Sequence, residues 1–320
     1  MLIVQSSRPV NVDVILNRRA RGLGEHSRIR AVLLRAAAGR GALTHETHSL
    51  DELDRVAQAL AARGTDAVVL AGGDGSHMGG LSALARAFRG ALPPVALAPG
   101  GTVGTVARNL GMHEKAAVWA EKVVHAACTG GGRLEEHPTL RVTDDAGGDR
   151  VGFIFGAGLV ARFFDEYYGA ASQGLLPAAG IAARVFAGSL FGSALAHRVL
   201  APAACSLTVD GEAQGAPAWS LVLASVVPDV GLHVRATYRA REKRGTFHVV
   251  ASGLSPRGLA FEVPRVLTGR AMHGEPRVDT VATSLHAAFD ETAAYVLDGD
   301  LIRARDVHVT PGPVLRLIVP

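Results

Sequence analysis

Two apolar runs in the first third of the chain end in glycine-rich joins: DAVVL (66–70) runs into AGGDGSH, and VALA (95–98) into PGGTVGT. Glycine takes backbone angles closed to other residues. Each join therefore predicts a sharp strand-to-helix turn, a backbone that something must approach closely, or both. The segments around them alternate. VDVIL (12–16) and ALTHETH (42–48) predict strands, HSRIRAVLLRAAA (26–38) has helical spacing, and LDELDRVAQALAAR (50–63) predicts a helix with acids at its start, where the helix dipole favours them. LSALARAFR (81–89) and EKAAVWAEKVVHAAC (114–128) predict further helices, with the PPVALAPGG strand (93–101) between them. Such alternation predicts an α/β domain, a parallel sheet covered by helices. Ligands on these sheets sit beyond the carboxyl ends of the strands, where both glycine joins fall.

After TGGGR (129–133) the grammar changes. HPTLRVT, RVGFIF, CSLTVDG, WSLVLASVV, HVRATY, FHVVAS, TVATSLHA, AAYVLDGD and VLRLIVP predict short strands separated by turns. A mainly antiparallel β-sandwich follows, interrupted by a helical insertion at 160–200 that is rich in small residues. The expected domains are 1–130, to which the C-terminal strand is able to return, and 131–320; a chain of 320 residues is long for one core. The net charge of +4 comes without a stripe of Lys/Arg interleaved with aromatics, which argues against nucleic acid and suits an anionic ligand or membrane surface. Cys128 and Cys205 lack metal-type spacing and predict two reduced thiols. The N-terminus lacks a signal-peptide pattern, and 177–196, the most apolar stretch, carries Arg184, a proline and several glycines, so no transmembrane helix is expected.

A glycine loop at a helix start exposes N–H groups that can hold phosphate oxygens. One GGDG is equally an ordinary turn; two on neighbouring strand ends predict a cradle. On these motifs the chain resembles the diacylglycerol kinase catalytic-domain superfamily, which includes diacylglycerol, sphingosine and ceramide kinases. Gly72, Gly73, Asp74, Gly75 and Ser76 match its GGDG[T/S] motif. Pro99, Gly101 and Thr102 match its proline–glycine–threonine segment, continuing through Ala107, Arg108, Leu110 and Gly111. NRRARG (17–22) is similar to its first nucleotide loop, VLDGD (296–300) to its Asp-Gly-Glu element and VTPGPVLRLIVP (309–320) to its closing strand.

The resemblance implies an ATP-binding domain, a lipid-substrate domain, and transfer of the ATP γ-phosphoryl group to the primary hydroxyl of a neutral lipid, diacylglycerol or a ceramide/sphingoid lipid. It implies ATP and Mg2+ as cofactors. Asn17, Gly22, Gly72, Gly73, Asp74, Gly75, Ser76, Gly100, Gly101 and Thr102 would line the nucleotide, Asp298 would be the base, and Asp300 with Asp74 would serve the metal. It also implies a cytoplasmic enzyme, peripheral at the inner membrane. The chain departs from the family where Val103, Gly104 and Thr105 replace the usual Asn-bearing segment, where Met78 and Gly79 replace an Asn-Glu pair, and at Phe153 and Val160.

Several features keep two readings. Asp-Gly at 298–299 is also the strongest two-residue hairpin signal. His77 is a phosphate contact or a solvated histidine at a helix start. FFDEYYG (163–169) is core packing or the wall of a lipid pocket, and 172–200 an acyl-chain pocket, a membrane-facing lid or helices packed on the sandwich. REKR (241–244) reads as a solvated turn. A catalytically silent lipid-binding protein and an NAD kinase-like enzyme, which also uses a GGDG loop, are the alternative functions. No residue declares the acyl preference or the oligomeric state.

Overall fold

The computed structural model describes residues 11–101, 104–170 and 174–320, which form two compact units. One takes in the chain up to Gly101, then Met112–His137 and Val314–Pro320; the other takes in the segment ending at Gly111 and Pro138–Pro313. The expected contact residue Thr102 and its neighbour Val103 lie outside the described residues, as does the N-terminal decapeptide.

The first unit follows the alternation in the sequence: β1 (Val12–Asn17), α1 (Arg28–Ala38), β2 (Leu43–Thr47), α2 (Leu50–Arg63), β3 (Ala67–Gly72), α3 (Asp74–Ala87) and β4 (Val95–Pro99). A five-residue helix α4 (Thr105–Asn109) belongs to the second unit; α5 (Ala116–Thr129) and β5 (Arg133–His137) resume the first. Strands β2, β1, β3 and β4 lie side by side in that order, all parallel. β3 is buried over its whole length, as a strand covered on both faces must be. Helix α2 starts where local chemistry starts it: Ser49 accepts a hydrogen bond from the Glu52 amide, Asp51 and Glu52 occupy the first turn, and Leu53, Ala57 and Leu60 face inward. Inside β1, the buried Asp13 binds His45 at 2.8 Å, Arg63 at 2.6 Å and Thr65 at 2.8 Å. Burial pulls that carboxyl up, but these bonds and the Arg63 charge hold it below its ordinary range.

The second unit is built on β6 (Leu140–Asp144), β7 (Asp149–Gly152), β8 (Ile154–Gly158), β9 (Ala203–Val209), the two-residue strands β10 (Glu212–Ala213) and β11 (Ala218–Trp219), β12 (Leu221–Ser225), β13 (Phe247–Ser252), β14 (Arg277–Ala282), β15 (Leu285–Leu297) and β16 (Asp300–Pro311). All of its described pairings are antiparallel, in the order β14-β13-β12-β8-β15-β16-β6-β7 with β9 alongside β15. The helical stretch consists of α6 (Leu159–Gly169), α7 (Leu175–Leu190) and α8 (Ala194–Leu200), joined later by α9 (Pro256–Leu267). Tyr167, Ile181, Val185, Val199, Leu200 and Leu259 form the core that these helices share. The final strand, β17 (Leu315–Val319), returns to the first sheet, parallel to β4 and antiparallel to β5.

One expected strand is absent. HVRATY (233–238) forms turns, in which Val234 bonds Gly231 and the Thr237 hydroxyl donates to the Val227 carbonyl at 2.7 Å. Among the described residues no single helix is long and apolar enough to cross a membrane; α7 and α8 pass that test only together, and they are bent by 105°.

Candidate active site

Three loops follow β1, β3 and β4, and their glycines are required by one another. A Cβ at Gly22 would collide with the Gly100 carbonyl oxygen, and one at Gly101 would lie 2.6 Å from the Gly73 Cα. Backbone bonds close the same contacts: the Gly22 amide donates to Gly100 at 2.9 Å and the Gly100 amide to Gly72 at 2.6 Å. Gly72 has its own reason, since a Cβ there would enter the Ser76 side chain. Asn17 ties the first loop to the second: its Nδ2 donates to Ser76 Oγ at 2.8 Å, and its Oδ1 accepts from the Arg19 amide at 2.9 Å. The structure thus brings together Asn17, Gly22, Gly72, Gly73, Ser76, Gly100 and Gly101.

The GGDG motif is not a turn followed by a helix at 81. Helix α3 begins at Asp74, capped by Gly73 in extended conformation without any side-chain hydrogen bond, so Asp74, Gly75 and Ser76 form its first turn. The amides of such a turn point out of the helix. Gly80 lets α3 pack close, since a Cβ there would lie 2.8 Å from the Leu70 side chain, whereas one at Gly79 would make ordinary contact with Leu50 at 3.5 Å. Met78 is buried beside them, so this departure from the family motif serves packing.

His77 corrects a sequence expectation. It is 1% exposed, not solvated. Its Nε2 lies 3.4 Å from the Ala98 carbonyl, an arrangement that fits an Nε2–H tautomer, and its Nδ1 has no partner. Burial pushes the imidazole down to about 4, so it is neutral near pH 7 and pins the start of α3 to β4.

In the second unit Asp298 meets both readings of the Asp-Gly pair. Asp298 has φ 48° and Gly299 φ 96°, the positive angles of a tight hairpin turn, and Leu297 pairs with Asp300 across it. The side chain, however, turns inward and is 5% exposed. Oδ1 accepts from the amides of Phe153 at 3.1 Å and Ile154 at 2.9 Å, while Oδ2 accepts from Phe153 at 3.0 Å. A carboxylate suits this place, because it accepts without needing to donate. Gly152 makes room for it: a Cβ there would lie 2.7 Å from Oδ2. A turn alone would leave the side chain in solvent.

Beside this hairpin lies a triad that sequence reasoning missed. Tyr295 donates to Asp144 at 2.6 Å, and Arg150 reaches Asp144 at 2.5 Å and the Tyr295 oxygen at 3.1 Å. Its members are spread over β6, β7 and β15, a spacing no local pattern reveals. Asp300 opens β16; crowding by protein pulls its carboxyl up from the ordinary range, and the nearby Arg150 charge offsets only part of this. Asp74 belongs to the first unit and Asp300 to the second. Among the described residues no group of three or more His, Cys, Asp or Glu side chains could hold a metal. Magnesium commonly takes one or two carboxylates with substrate phosphates and water, and Asp74 and Asp300 are acids of the type that mode uses.

The aromatic run of α6 is largely packing. Tyr167 is buried with Phe163 and Phe164 against the helical core, while Tyr168 donates to the Gly299 carbonyl at 2.6 Å and so braces the hairpin.

Comparison with known proteins agrees with the motifs. Residues 11–130 match the family model of the diacylglycerol kinase catalytic domain. No curated protein matches it. A solved diacylglycerol kinase from Bacillus anthracis str. Sterne shares the fold with a TM-score of 0.64 at 14% identity, 97% of each chain being covered. A second structure from that organism, described only as a candidate diacylglycerol kinase, gives 0.69 at 15% identity with the same coverage of both chains. At such identities the likeness concerns the fold.

Proposed function

We propose that the chain is an ATP- and magnesium-dependent lipid kinase that passes the γ-phosphoryl group to the primary hydroxyl of a neutral lipid, diacylglycerol or a ceramide/sphingoid lipid. One observation carries this reading: the loops after β1, β3 and β4 close on each other backbone to backbone at the start of a helix that no side chain caps. That surface offers N–H groups and no bulk, as phosphate oxygens require. A bound nucleotide and its cation would supply the phosphoryl group and offset its charge. Asp74 and Asp300 are the carboxylates suited to hold the cation. Asp298 orients the lipid hydroxyl and takes up its proton. Phosphoryl transfer depends mostly on positioning, and a carboxylate fixed by two amides provides it.

The lipid end of the reading rests on exposed apolar side chains in the helices of the second unit. Leu176 is 84% and Phe191 88% exposed, with Leu175 and Leu190 beside them in sequence and Phe261 and Leu267 on α9 also exposed. From residue 167 to residue 209 there is no acid, whereas Arg184, His197 and Arg198 are basic, Arg198 being paired with Glu166 at 2.9 Å. Arg257 stands 6.0 Å from the Phe261 ring centroid. Exposed apolar side chains among cations suit an anionic bilayer surface, which supports peripheral docking at the inner face of a membrane.

The test is incubation with γ-labelled ATP and anionic vesicles carrying diacylglycerol, ceramide or sphingosine, with NAD as a separate acceptor. Label is expected in a lipid. Label in NAD alone would replace this reading with an NAD kinase, and label in no acceptor would leave a silent relative.

A further inference from the structure

Arg108 is the one charged residue on α4, and its guanidinium is unlike the others in the second unit. Its Nε and Nη2 are enclosed by protein and have no hydrogen-bond partner, although the residue as a whole keeps some exposure. Elsewhere in this unit partly enclosed guanidinium groups are matched: Arg150 meets Asp144, Arg239 meets Glu242 and Asp279, and Arg162 donates to the carbonyls at the end of α8. Enclosing polar atoms of a charged group without a partner is costly, and native structures rarely do it without a reason.

The helix that carries Arg108 is held from both sides. The Asn109 amide group donates to the Asp229 carbonyl at 2.7 Å and accepts from the Asp229 amide at 3.3 Å. Arg241 donates to the Asn109 carbonyl at 3.3 Å, adding a second cation beside α4. Thr105, at the start of α4, packs against Gly231, whose φ of 116° only glycine adopts readily. Arg108 is therefore not waiting for a protein carboxylate to swing in; its helix is fixed and its donors are already desolvated.

We infer that Arg108 is an anion-binding residue whose missing partner is a phosphate group of the bound substrates or products. The fork of a guanidinium matches phosphate oxygens two at a time. The inference deepens the kinase reading and rests on it. Two sources share this chemistry: the phosphates of the nucleotide and the phosphate of a phosphorylated lipid product.

The full chain, Arg108→Met and Arg108→Lys are titrated by calorimetry with inorganic pyrophosphate, ATP and dioctanoyl phosphatidic acid, and their ligand-free Tm values are measured. Arg108→Met is expected to melt at or above the parent temperature, because an uncompensated charge has left an enclosed site, and to bind its phosphate ligand at least tenfold more weakly. Arg108→Lys keeps charge without the fork and should fall between. A loss confined to ATP and pyrophosphate assigns the nucleotide; a loss confined to phosphatidic acid assigns the lipid product. Unchanged affinity for all three ligands in Arg108→Met overturns the inference and leaves the kinase reading standing. A parent chain that binds none of the three overturns both. If Arg108→Met does not fold, unchanged affinities in Arg108→Lys overturn the inference, and a loss sustains it.

Discussion

The glycine loops of the first unit and the hairpin of the second make their functional surfaces in opposite ways. The loops work by what is left out: Gly22, Gly73, Gly100 and Gly101 touch one another, and almost any side chain would part them. The hairpin works by one side chain, Asp298, which two backbone amides hold in place. A surface made of backbone should be sensitive to added bulk and indifferent to charge. One made by a carboxylate should be sensitive to charge and tolerant in shape.

The largest effect is expected from Gly101→Ala. The new Cβ would lie 2.6 Å from the Gly73 Cα, and neither backbone has a side chain to rotate away. Overpacking of this kind costs about 1–3 kcal/mol, and ATP binding measured by calorimetry should be lost. Retained ATP affinity would mean that the loops are ordinary turns.

Acid should act next, through a histidine of the glycine-loop region. Folding lowers the His77 pKa from 6.5 to about 4, so between those values the unfolded chain binds more protons than the folded one. Stability is then complete above about pH 6.5 and falls as the pH drops toward 4, by an amount on the order of 3 kcal/mol. Asp13, whose carboxyl is lowered from 3.8, loses its contribution only further down, as the pH falls below that value. Urea unfolding at pH 7 and pH 4.5 should show the first loss in the parent chain and little of it in His77→Gln. Equal acid sensitivity in both would remove His77 as the cause.

The smallest effect on stability is expected from Phe191→Asp. An 88% exposed side chain is replaced, so unfolding should shift by no more than about 0.5 kcal/mol. Sedimentation with anionic vesicles should nevertheless fall several-fold, and equal sedimentation would remove this side chain from membrane contact.

Local chemistry made much of the first unit readable. Ser49, Asp51 and Glu52 announce α2, and its bounds, Leu50–Arg63, are those that the pattern predicts. The start of α3 was hidden, because three glycines among its first seven residues argue against a helix that close packing of Gly80 on Leu70 nonetheless selects. His77 carries no sequence mark of burial. In the second unit β16 was hidden by charges on its exposed positions, and α9 by Pro264 inside it. The Asp-Gly signal gave the turn at 298–299, but the inward carboxylate depends on Phe153 and Ile154, some 145 residues away. Arg108 was visible as part of a motif, whereas its unmatched nitrogens are a property of the fold alone.

Asp298→Asn tests most directly whether the two regions divide the work. The change keeps shape but replaces one accepting oxygen with an NH2 that faces the amides of Phe153 and Ile154, which costs about 1–3 kcal/mol of stability. Turnover is therefore measured well below the variant's Tm, together with ATP affinity. The expected result is a kcat lower by about 10²–10⁴-fold with ATP affinity unchanged. Near-normal kcat would contradict it, leaving Asp298 as a hairpin residue that Asn-Gly replaces equally well.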